Sequence, residues 1–152
     1  MCEAVEYDYN GVRVIATPGA DGSRLPVRMR SGAVLMVCWG AQRRRFSGSP
    51  ATRIQWADEP FVPLGTIKSG AWADCEPYPV CLPITRFMVL RKLDIAILDH
   101  WVTLRPGQFV QGALLRHAGE RAVYIVTVEP PAAIGILSSW PRVVSSRLRT
   151  VP

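Results

Sequence analysis

No apolar run in the sequence approaches the length of a membrane span, and there are only two histidines among 152 residues. A basic leader followed by an apolar core is also missing, because Glu3, Glu6 and Asp8 occupy the region where an export signal would stand. These absences predict a cytoplasmic chain with no membrane partner. Four cysteines (Cys2, Cys38, Cys75 and Cys81) in such a chain do not make a disulfide framework. Cys75 and Cys81 stand too far apart for a CxxC knuckle, and imidazole is available only from His100 and His117, so no metal is expected. No Walker loop, GxGxxG or GxSxG element occurs, and no organic cofactor is implied. Asp99-His100 is the one acid–imidazole neighbour pair, but neighbours on a strand point to opposite faces, which favours a surface or strand-end histidine.

What is present describes one folded domain. The hydrophobic content is 49% and the charged content 20%, enough apolar material for a core in a chain of this length. Thirteen prolines and twelve glycines predict many turns and few long helices. VRVIA at 12–16 reads as a strand, and LPVRMRSGAVLMVCWG as a hairpin turning at Ser31-Gly32 and returning from Ala33 to Trp39. Gln42 to Pro60 is polar, arginine-rich and broken by proline, so an exposed loop is expected there. FVPLG and VCLPI read as extended segments, with KSGAWADCEPYP as a loop between them. Residues 87–101 fit a helix or two strands, and Pro106-Gly107 predicts a hairpin. RAVYIVTVEP is the clearest buried strand; PPAAIGIL suits the start of a short helix, and the tail after Val144 should be loosely held. The expected architecture is a β-rich α+β domain of hairpins and a curved sheet with a few short helices.

A net charge of +6 favours a polyanionic partner, nucleic acid first. Arg43, Arg44 and Arg45, followed by Phe46 and preceded by Trp39, form the best candidate contact, since guanidinium groups engage phosphate and aromatic faces stack on unpaired bases. Lys68 and Arg86 are further candidates. Arg28 and Arg30, two apart, should project from one strand face. The alternatives are a solvated arginine loop and a Trp39 ring that belongs to the core.

Cys2 follows the initiator methionine, and Met1 removal would leave an α-amine beside a thiol. The ordinary pKa values of the two groups, roughly 8 and 8.5, leave part of each in its nucleophilic form near neutrality. The amine can attack an aldehyde, and the tethered thiol can close the imine into a thiazolidine ring. Sugars in DNA that have lost their base expose such an aldehyde. The alternative is an incidental residue in a frayed terminus.

Several of these stretches together resemble the SOS-response-associated peptidase (SRAP) family. That family begins Met-Cys-Gly-Arg; its Trp-Gly-Leu-Ile-Pro strand end resembles VLMVCWGA with Trp39-Gly40 in place. Its Arg-Cys-Leu-Ile-Pro element before Gly-Phe-Tyr-Glu-Trp resembles VCLPITRFMV, and its later Phe-Ala-Gly-Leu-Trp and Thr-Ile-Ile-Thr-Thr-Glu-Ala segments resemble FVQGALL and YIVTVEPPA. The resemblance runs from Cys2 to about Val144, so residues 1–144 are read as an SRAP-like domain and 145–152 as a C-terminal tail. It implies a compact β-rich domain that binds single-stranded DNA and, through Cys2, links covalently to abasic sites; removal of its own Met1 gives the family its peptidase name. It implies no cofactor.

This chain departs from the family pattern where chemistry is concentrated. Glu3-Ala4 replaces Gly-Arg, and TIKSGAW holds no counterpart to the asparagine of Asn-Ala-Arg-Ala-Glu. Val89 takes the place of the glutamate in Phe-Tyr-Glu-Trp, and LSSWP puts Leu137 or a neighbour where His-Asp-Arg-Met-Pro has histidine. Acid–base partners typically supply about 10²–10⁴-fold in rate. The expectation is therefore either slow abasic-site trapping by Cys2 or a catalytically degenerate relative that binds DNA or a protein without covalent chemistry. A cysteine hydrolase using Cys38, Cys75 or Cys81 would lack a recognisable base.

Overall fold

The computed structural model describes residues 2–20, 22–40, 59–117, 119–131 and 135–145. The first strand, β1 (Ala4–Tyr9), turns at Asn10-Gly11 into β2 (Val12–Ala16). Both turn residues have positive φ, 51° and 77°, as a tight two-residue hairpin requires and as Asn-Gly tolerates best. A second hairpin joins β3 (Arg24–Arg28) to β4 (Val34–Cys38), as the Ser31-Gly32 signal predicts. After β5 (Phe61–Pro63) comes a five-residue helix, α1 (Leu64–Lys68), and a 3-10 turn over Ala73–Cys75. Seven strands complete the described chain: β6 (Tyr78–Leu82), β7 (Arg86–Leu93), β8 (Ala96–Thr103), β9 (Gln108–His117), β10 (Glu120–Val128), β11 (Trp140–Pro141) and β12 (Val143–Ser145).

These strands form two sheets. The smaller has the order β2-β1-β7-β8; the larger has β11-β10-β9-β6-β3-β4, with β12 also on β9 and β5 lying parallel to β10. Alternation sorts the side chains of β1 and β7: Val5, Tyr7, Phe87 and Val89 enter the main core, while Glu6 and Arg86 stand on the opposite face. From the larger sheet, Leu25, Val27, Leu82, Val110, Val123 and Ile125 join the same core. The Tyr7 hydroxyl spans the two sheets and donates to the Arg24 carbonyl at 3.2 Å. A second apolar cluster, including Leu115, Tyr124 and Val126, lies on the other face of the larger sheet, where Leu64, Ile67 and Trp72 cover it.

The β-rich α+β class agrees with the sequence reading. Residues 87–101, open between a helix and two strands, take the two-strand alternative and turn at Asp94, where φ is 53°. Several other local expectations do not hold. Pro106-Gly107 does not close a hairpin: β8 and β9 belong to different sheets, and the turn carries the chain between them. Leu64 and Gly65 begin α1 rather than extending β5. Ile136 forms a bridge to Arg91 and β12 pairs with β9 as far as Ser145, while residues 132–134 of the expected helix and 146–152 of the tail lie outside the described residues. No helix among the described residues is long and apolar enough to cross a membrane.

Candidate functional site

Cys2 is held by the start of β1, a strand placed between β2 and β7 by its apolar alternation and by the Asn10-Gly11 turn. Its exposure is 0%, and its Sγ donates to the Ala4 carbonyl at 3.4 Å. Burial pushes the thiol up to about 12; the Ala4 hydrogen bond opposes that rise and the Glu3 charge adds to it. A thiol of this kind is ionised to only about one part in 10⁵ at neutral pH. The exposed nucleophile expected from the sequence is thus replaced by a protonated thiol packed in the core. The cause is local: the N-terminal segment is drawn into the sheet, with the Glu3 amide donating to the Met88 carbonyl at 2.8 Å.

The surroundings of Cys2 are nevertheless the segments that the family resemblance singles out. Leu137 donates its amide to the Leu90 carbonyl at 2.9 Å, extending β7 beyond its pairing with β1. The Ser138 hydroxyl accepts from the Leu90 amide at 2.9 Å and donates to Glu3 Oε1 at 3.3 Å. The N-terminal segment, β7 and residues 137–138 therefore meet. Their side chains are not acid–base partners: Val89 is fully buried among apolar groups, and Leu137 is 53% exposed. Sequence reasoning missed the buried Ser138 and its contact with Glu3, for which no spacing gives a signal. It also gave His100 no cross-strand partner, whereas the β7–β8 register sets it directly opposite Val89.

The expected DNA contacts divide. Trp39 is 4% exposed, its indole N–H donates to the Pro60 carbonyl at 3.1 Å, and its ring meets Phe61 edge-on at 5.8 Å. That ring is core and offers no face to a base, which corrects its assignment as a stacking residue. Arg86 donates from Nε and Nη2 to the Glu6 carboxylate at 2.7 and 3.0 Å and lies 4.1 Å from the Trp101 ring centroid. The carboxylate neutralises it, so Arg86 acts as a clamp on the small sheet rather than as an available phosphate contact. Lys68 is exposed in the last turn of α1. Arg43, Arg44 and Arg45 lie outside the described residues.

Arg28 and Arg30 each lie over a ring, Arg28 over Phe109 at 5.5 Å and Arg30 over Tyr78 at 5.9 Å. Among the described residues, no group of three His, Cys, Asp or Glu side chains is gathered as a metal site. No protein family matches this chain, and no curated protein and no solved structure shows significant similarity to it.

Proposed function

We propose that this chain is a divergent SRAP-like protein that binds single-stranded DNA in the DNA-damage response, and that it does so without covalent chemistry. The observation that carries the non-covalent reading is the sealed Cys2 thiol, protonated at neutral pH. Val89 where the resemblance puts the family's glutamate, and Leu137 or a neighbour where it puts the histidine, agree with it. The polyanion reading rests on the net charge of +6. Binding of a fluorescent oligothymidylate, followed by anisotropy across a salt series, tests it: affinity should fall steeply as salt rises. A flat salt response would remove the electrostatic basis of the proposal.

A second reading is favoured by one observation, the meeting of the N-terminal segment with β7 and residues 137–138. In that reading Met1 is removed and Cys2 comes free of its packing. Its amine adds to the aldehyde of an abasic sugar and water leaves to give the imine. The thiol then adds to the imine carbon while its proton passes to the nitrogen, giving the thiazolidine. This requires the Cys2 side chain to leave its position in the core. Intact-mass measurement of the purified protein establishes whether Met1 is present, and an abasic oligonucleotide then separates the two readings by a denaturation-resistant band.

A further inference from the structure

The outer face of the larger sheet carries a row of polar side chains away from the sealed thiol. The register sets Arg28 of β3 opposite Cys81 of β6, and Cys81 opposite Gln111 of β9. The Gln111 amide donates to the Arg142 carbonyl at 2.8 Å, and the Arg142 guanidinium returns a hydrogen bond to the Gln111 side-chain oxygen. At the usual strand spacing the row spans about 14 Å of backbone from Arg28 to Arg142. Leu25 and Val27 of β3 point into the main core, so alternation puts Arg28 on the opposite face, where it meets Phe109. Arg30 continues past the end of β3 to Tyr78, which is 43% exposed.

Two features make this face different from a merely solvated one. Among the described residues, the ion pairs involve Arg13 and Arg86, and none forms with Arg28, Arg30 or Arg142. Among the described residues, then, no carboxylate neutralises these three charges. The guanidinium groups of Arg28 and Arg30 also lie over rings, which limits the side-chain freedom lost when a phosphate is engaged.

We infer that Arg28, Arg30 and Arg142 form the contact surface for single-stranded DNA, in place of the Trp39 and Arg86 positions. The guanidinium groups take the phosphates. Gln111 is a positioning residue that fixes Arg142. The inference rests on the proposed DNA-binding function and locates its surface.

The test compares binding of a fluorescent oligothymidylate by the full chain, the Arg28→Ala/Arg30→Ala variant and an Arg116→Ala/Arg121→Ala variant. The last removes equal charge from exposed positions on the β9–β10 hairpin. Loss of two phosphate contacts should weaken binding about tenfold at moderate salt and reduce the salt slope by about 1.4, with the hairpin variant close to the unmodified chain. Equal weakening in both variants would mean that net charge alone governs binding and would overturn the inference, as would unchanged binding after Arg28→Ala/Arg30→Ala. Arg28→Lys/Arg30→Lys keeps the charge if the alanine variant does not fold. It should still bind several-fold more weakly because the bidentate guanidinium fork is lost, and unimpaired binding would contradict the assignment. Failure of the unmodified chain to bind overturns the proposed function itself, whereas binding that ignores these arginines overturns only the surface.

Discussion

Glu6 and Arg86, eighty residues apart in sequence, stand opposite one another on β1 and β7 and join through two hydrogen bonds of 2.7 and 3.0 Å. The arginine hydrogen bonds hold the Glu6 carboxyl below its ordinary pKa, with burial opposing and the Arg86 charge reinforcing the shift. A group whose folded pKa is depressed adds stability above its unfolded pKa, and that stability is lost as pH falls through the folded value. Thermal melts at neutral pH should therefore show Arg86→Ala and Glu6→Gln well below the unmodified chain. The differences should narrow as pH falls below the ordinary carboxylate range. A gap that stays constant into acid would show that the ion pair is not the source of the effect.

The thiols should differ sharply in reactivity. Cys2 is fully buried and its thiol is raised to about 12, whereas Cys38 is half-buried. Iodoacetamide at mildly alkaline pH, read by peptide mass spectrometry, should label Cys38 well before Cys2. Cys2 should react freely only in denaturant. Early labelling of Cys2 in the folded protein would contradict the sealed arrangement and restore the nucleophile reading.

Trp39 gives a prediction that separates core from contact. Trp39→Phe removes the indole donor and leaves the Pro60 carbonyl without it. The expected cost is about 1–2 kcal/mol of stability in a denaturant titration. Oligothymidylate affinity of the folded variant should not change. A large affinity loss without destabilisation would make Trp39 a stacking residue after all.

Gly40 is constrained by the same neighbour. Its φ is +75°, and a Cβ placed there would stand 2.7 Å from the Pro60 Cβ. Gly40→Ala should cost about 2 kcal/mol or more through left-handed strain and overlap. Measured stability within experimental error of the parent would show that the Trp39–Gly40 corner is not held against Pro60.

Where the sequence was readable, local chemistry and tertiary packing agreed. The β3–β4 hairpin follows from Ser31-Gly32, and β10 from its continuous apolar run. The β1–β2 hairpin carries an equally strong Asn10-Gly11 signal, but the strand reading begins only at Val12, and β1, with Glu6 and Asp8 in it, lacks a continuous apolar run. Only the long-range partner Arg86 explains how Glu6 is tolerated in the sheet. The candidate site was less legible for the same reason. Trp39 and Arg86 have the composition of a nucleic-acid contact, and their roles are decided by Pro60, Phe61 and Glu6, which no short spacing connects. The placement of Arg28 and Arg30 likewise depends on rings from β9 and β6.

The central claim, single-stranded DNA bound without a bond to Cys2, is tested most directly by incubating Met1-processed protein with an abasic single strand. The products are then divided between a native gel and a denaturing gel. The account predicts a salt-sensitive shifted complex on the native gel and only free strand after denaturation, unchanged by Cys2→Ser. A shifted band that survives denaturation and disappears with Cys2→Ser would contradict it.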